Sequence, residues 1–159
     1  MPIDKPLFRK VLGSFAAGVT VITTVDGERN PLGLTATAFS SVSILPPLVL
    51  ICVDKHSETY PCFEQSRLFA VNILAADQAD VSQRFATSGG DKFAGVAWRR
   101  GSLGLPLIEG AIGYLECRLE HAYEGGDHTI YVGQVETAEA RDGEPLLYFR
   151  AAYRGLQAL

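Results

Sequence analysis

The sequence predicts a mainly β protein: an antiparallel sheet closed into a barrel, with two or three short helices on its flanks. Three observations predict it. Short runs rich in β-branched and other apolar residues recur at residues 19–25, 48–53, 68–74, 112–121 and 128–140. Such residues suit a pleated, half-buried strand. Neighbouring runs are mostly joined by turn residues, such as Asp26-Gly27, Gly125-Gly126-Asp127 and Asp142-Gly143, so successive strands run antiparallel. About six or seven strands then form one sheet, and closing it removes its exposed edges.

The elements follow in order. Residues 6–15 read as a short amphipathic helix, with Asp4 as N-cap and Leu7, Phe8, Val11, Leu12 and Phe15 on one apolar face. Gly18 is expected to stop it. Residues 19–25 form a strand, and the turn at Asp26-Gly27 folds the next strand back on it as a hairpin. Ser57 can cap a helix that runs to about Gln65, with Glu58 and Pro61 in its first turn. A strand follows at residues 68–74. Asp77 then caps a helix that places Val81 and Phe85 on one face. Residues 87–104 break every pattern: they are glycine-rich, with Phe93 and Trp98 as the large apolar anchors. Irregular segments of that length are usually binding loops or lids. Residues 112–121 alternate, with Gly113, Leu115, Cys117, Leu119 and His121 on one face. Tyr114, Glu116, Arg118 and Glu120 occupy the other, expected to face solvent or a second subunit. Residues 128–140 and 146–149 complete the strands.

Composition bounds the function. At 159 residues the chain reads as one domain, residues 1–159. It is 47% hydrophobic and 20% charged, in the globular range. A net charge of −4 argues against a dedicated nucleic-acid binder. Three cysteines, an odd number, fit a reducing cytoplasm better than a disulfide framework. Phe8-Arg9-Lys10 before an apolar run imitates a secretory leader. That run carries glycines and threonines, alternates like a strand and lacks a small-residue cleavage site, so no cleavage is expected. No apolar run is long enough to span a membrane. Neither the dinucleotide-binding glycine fingerprint nor a P-loop is present. Cys52, His56 and Cys62 match no common zinc spacing, so no metal is expected.

Two stretches carry chemistry. Residues 33–59 begin with Gly33, continue through Thr35, Ala36, Thr37 and Ala38, and add Ser40, Ser41 and Ser43. They turn at Pro46-Pro47, enter the apolar run Leu48 to Val53 and end on Asp54-Lys55-His56-Ser57. Small residues let a flat ligand approach the backbone. Hydroxyls and backbone N–H groups can bind a phosphate without an arginine cluster. A helix starting just after Ser57, beside Lys55, would favour an anion. The second stretch is Gly126-Asp127-His128, in which a turn presents an imidazole at a strand mouth.

The order Thr-Ala-Thr-Ala-Phe-Ser-Ser-Val-Ser, then Pro-Pro-Leu-Val-Leu, then a Ser, together with an intact Gly-Asp-His, resembles the short-chain flavin reductases. These are the NAD(P)H:flavin oxidoreductase components of two-component monooxygenases. The resemblance extends through residues 8–24, Ser82 to Ala86, Asp91-Lys92-Phe93, Gly95 to Trp98, Pro106 to Ile108, Leu115 to Cys117 and Pro145 to Phe149. Thr37 stands where many relatives have Ser.

The resemblance implies a closed antiparallel (Greek-key) FMN-binding split barrel, usually a homodimer. It implies hydride transfer from NADH or NADPH to FAD or FMN, with reduced flavin diffusing to a partner flavin-dependent monooxygenase. Thr35, Ala36, Thr37 and Ala38 would lie along the flavin ring. Ser40, Ser41, Lys55 and Ser57 would serve the ribityl and phosphate end. Backbone of Cys52, Val53 and Asp54 would meet the pyrimidine edge. Phe85 and the loop after it would cover an adenine, Tyr153 would lie near the ring, and Gly126-Asp127-His128 would serve the nicotinamide. Hydride transfer needs stacking and exclusion of water more than a strong acid, so the lack of an obvious catalytic carboxylate is consistent. A flavoenzyme with tightly held flavin, or a flavin-binding electron carrier, is the alternative.

Overall fold

The computed structural model describes residues 2–159. In chain order the elements are α1 (Lys5–Leu12), β1 (Ala17–Gly18), β2 (Thr20–Val25), β3 (Pro31–Ala36), β4 (Phe39–Ser43), β5 (Leu48–Asp54) and α2 (Tyr60–Ser66). Then come β6 (Leu68–Ile73), α3 (Ala79–Ala86), β7 (Trp98–Arg100), β8 (Pro106–Ile108), β9 (Gly113–Gly125), β10 (His128–Ala140), β11 (Leu147–Phe149) and β12 (Ala152–Arg154).

Seven strands form the main sheet in the order β3-β2-β6-β9-β10-β5-β4, with every pairing antiparallel. The hairpin expected at Asp26-Gly27 is present, and the Asp26 carboxylate fixes it by accepting from the backbone N–H groups of Glu28 and Asn30 at 2.9 Å each. The two longest strands, β9 and β10, pair along their length with two register shifts. Ladder hydrogen bonds do not close the sheet: β3 and β4 are its two edges. They are consecutive in the chain, so residues 37 and 38 bridge one edge of the sheet to the other. The core between them holds Ile22, Ile51, Phe63, Phe69, Val71 and Tyr131.

Several local expectations are corrected. The first helix ends at Leu12, capped by Gly13, whose N–H donates to Arg9 O; Phe15 lies beyond it and Gly18 sits in β1, paired with β11. Ser57 does not cap α2. That helix starts at Tyr60 after Thr59, because Ser57 closes a turn of its own, its carbonyl accepting from Tyr60 N at 3.1 Å. Gln78, not Asp77, precedes α3, and its side chain accepts from Ala75 N and donates to Glu109 O. The segment 87–104 contains a strand, β7, which pairs with β8.

The outer face of β9 is not solvated at Tyr114 and Glu116, which are 3% and 2% exposed. The loop between β7 and β8 lies over Glu116, whose carboxylate accepts from Ser102 N (2.8 Å), Leu103 N (2.9 Å) and Thr137 Oγ1 (2.9 Å). Those three donors compensate its burial.

Candidate active site

The bridge between the sheet's edges opens onto a cleft. Its volume is about 380 Å³, and its walls come from residues 34–38, Cys52, Asp54, residues 57–59, Phe85, Ala86, Ser88, Lys92 and His128. That size falls within the ~300–1,000 Å³ of small-molecule sites. One wall is nearly free of long side chains, so a flat ligand can reach the backbone there. The sequence-predicted residues Thr35, Ala36, Thr37, Ala38, Cys52, Asp54, Ser57, Phe85 and His128 all meet in this cleft.

The imidazole is held from behind. Gly126 adopts φ +79°, a conformation that side-chain-bearing residues disfavour, and so allows the tight turn before β10. Register then sets His128 opposite Asp54. Asp127 Oδ1 lies 2.7 Å from His128 Nδ1. The hydrogen bond from His128 chiefly holds the Asp127 carboxyl below the usual carboxylate value. An ionised carboxylate only accepts, so Nδ1 carries the proton and Nε2 is left for a ligand. Asp54 is also held low, chiefly because it accepts the His56 N–H at 2.8 Å.

Other groups are already committed. Thr35 Oγ1 donates to Ser82 O at 2.6 Å, so only its acceptor capacity faces the cleft. Cys52 N–H donates to Ala38 O at 3.2 Å. Burial raises the Cys52 thiol above its usual value, which favours its neutral form. Phe85 lines the cleft but is only 1% exposed. It packs edge-on to Phe93 (4.9 Å, 81°) and so close to Gly33 that a Cβ there would sit 3.0 Å from the ring.

Seven predicted residues do not line the cleft: Ser40, Ser41, Val53, Lys55, Gly126, Asp127 and Tyr153. Ser40 Oγ donates to Ser41 O, out on β4. Val53, expected to contribute its backbone, turns its side chain into the core. Lys55 Nζ is bound by Glu124 Oε2 at 2.5 Å, and Gly126 and Ser41 stand outside the lining. Tyr153 lines an adjoining cavity of about 250 Å³ that shares Thr35, Thr37 and Ala86 with the cleft. Its hydroxyl donates to Ser82 Oγ at 2.8 Å.

Sequence reading missed Glu58 and Lys92. Glu58 Oε2 accepts from Gly89 N at 3.3 Å. Lys92 Nζ donates to Gly33 O (3.3 Å) and Phe85 O (3.2 Å). Neither belongs to a periodic pattern; the one available signal was a lysine between Asp91 and Phe93 in a glycine-rich loop.

A family profile described as "Flavin reductase like domain" matches residues 12–157. The chain belongs to the flavin reductase-like family. Its relatives in that family include the reductase subunit HsaB of a flavin-dependent monooxygenase from Mycobacterium tuberculosis, 43% identical over 98% of this chain and 84% of HsaB. The FMN reductase (NADH) SmoA of Agrobacterium fabrum is 43% identical over 92% of this chain and 83% of its own length. Among solved flavin reductases, the NADH:FAD oxidoreductase SgcE6 of Streptomyces globisporus C-1027, in complex with NAD and FAD fragments, superposes with a TM-score of 0.92. It is 41% identical, and the match covers 97% of this chain and 93% of that one.

Proposed function

We infer that this protein is an NADH-dependent flavin reductase that supplies reduced flavin to a partner monooxygenase. The observation that carries the reading is the cleft. A wall of small and hydroxylated residues, 35–38, faces a single imidazole held by Asp127. Relatives named as reductase subunits, an FMN reductase (NADH) and an NADH:FAD oxidoreductase support it.

The residues fit a flavin. Residues 35–38 leave room for a planar ring against the backbone, and Ser57 with Thr59 places hydroxyls at the end nearer α2. When bound, flavin accepts a hydride at N5 from C4 of the reduced nicotinamide. The protein's part is to stack the two rings, exclude water and orient the nicotinamide. His128 is assigned to that last task through Nε2, with its Nδ1–H fixed by Asp127. Thr37 and Tyr153, which share the adjoining cavity, would border the ring. Ser40, Ser41 and Lys55 gain no support as phosphate ligands from the cleft's lining.

Finer readings belong here as well. Residues 1–159 are read as one split-barrel domain, closed by side chains where ladder bonds stop; Leu34 and Ala36 of β3 and Phe39 of β4 pack on one core. A homodimer is supported by the exposed apolar face of α1, with Leu7, Phe8, Val11 and Leu12. A cytoplasmic setting is supported by three free cysteines. Among the described residues no helix is long and apolar enough to cross a membrane.

Anaerobic incubation with NADH and excess FMN or FAD, followed by ultrafiltration, tests the release step. Reduced flavin in the filtrate is the expected result. Reduced flavin retained with the protein would replace release by a tightly held cofactor.

A further inference from the structure

We infer that Lys92 holds a phosphate of the bound nucleotide, and that it, not Lys55, is the cleft's cationic anchor. This deepens the flavin-reductase reading and rests on it. Lys92 is the one Lys or Arg among the described residues that lines the cleft. It also lines a second pocket of about 130 Å³ that shares Glu58, Thr59 and Lys92 with the cleft, so the residue lies at their junction.

Its partners are neutral. Nζ donates to the carbonyls of Gly33 and Phe85, at 3.3 and 3.2 Å. Among the described residues no carboxylate lies within ion-pairing distance of it. Glu58 faces the same junction, and its nearer engagement is with Gly89 N. Burial pulls the Lys92 ammonium below its usual value, with Glu58 opposing. A partly desolvated ammonium held by carbonyls alone is under-compensated, and a phosphate oxygen offsets that cost. An ammonium has three N–H donors, and two are spent on the carbonyls. The third is free for a ligand. By contrast Lys55, the cation nearest the phosphate end by sequence, is neutralised by Glu124.

The phosphate can come from the flavin nucleotide or from the dinucleotide, and two pairs of ligands separate these sources. Riboflavin is FMN without the phosphate. A 1-benzyl-dihydronicotinamide is a hydride donor without phosphates. In Lys92→Met, FMN affinity is expected to fall about tenfold or more, the effect of losing one charge-assisted hydrogen bond. Riboflavin affinity should stay within about twofold on the same grounds, and Lys92→Arg should restore most of the FMN affinity.

If FMN is unaffected but KM for NADH rises about tenfold, while the benzyl donor's kcat/KM holds, the phosphate belongs to the dinucleotide and the inference stands. The inference is overturned if FMN and riboflavin, or NADH and the benzyl donor, weaken together. Lys92 would then only tether the loop. It is equally overturned if no ligand responds. Wild-type binding of riboflavin, measured first, checks the underlying flavin reading independently of Lys92.

Discussion

His128 owes its placement to its neighbours. Gly126 turns the chain, Asp127 accepts the hydrogen bond from Nδ1–H, and the pairing of β10 with β5 sets His128 opposite Asp54. His128→Ala is therefore expected to raise KM for NADH about tenfold or more while flavin affinity moves less than about threefold. Steady-state kinetics and flavin fluorescence titration check this, and the opposite pattern would remove His128 from the nicotinamide site. Asp127 carries a signed pH dependence. Its folded-state value lies below its ordinary 3.8, so the stability it contributes is present above 3.8 and lost as pH falls through the depressed value. The difference in urea stability between wild type and Asp127→Asn should thus shrink once pH drops below 3.8. A difference that grows on acidification would show that Asp127 is not ionised by this contact. At this scale the motif residues were readable because Gly, Asp and His each have a local reason to stand there. Lys92 was not, because its meaning depends on which carbonyls the fold brings to it.

Strands with a period of two were read well and elements set by long-range packing were not. Residues 128–140 form β10 as expected, since alternation and flanking turns are local signals. β7 and β12 have three residues each and exist only through pairing with β8 and β11. Tyr114 and Glu116 show the same limit. Their alternation pointed outward, but the loop after β7 covers them. Glu116 organises that loop: two backbone N–H groups and one hydroxyl converge on its carboxylate. Glu116→Ala strands buried donors and should cost about 3 kcal/mol in a urea melt. A loss under about 1 kcal/mol would mean the loop finds other partners. Gly126→Ala forces a side chain into φ +79° and should cost about 1–2 kcal/mol. It should also raise KM for NADH, because the turn positions His128.

The whole molecule brings the two sheet edges, β3 and β4, to one core and leaves a cleft where residues 37 and 38 cross between them. Class and antiparallel order were readable from turn spacing; where the sheet's ladder stops was not, since hydrogen-bond closure leaves no mark on composition. The exposed apolar face of α1, continued by Phe15, is unusual for a surface helix. As a dimer face it predicts that wild type sediments as a dimer and that Leu12→Asp with Phe15→Asp sediments as a monomer. A wild-type monomer at micromolar concentration would contradict it. The central claim is that NADH and flavin meet in this cleft and that hydride passes between them. Its most direct test is NADH oxidation under limited oxygen, with and without added FAD or FMN. The account predicts negligible turnover without flavin, saturating turnover with it, and a large loss of NADH efficiency in His128→Ala. Flavin binding with no NADH oxidation at any flavin concentration would contradict it and leave a flavin-binding carrier.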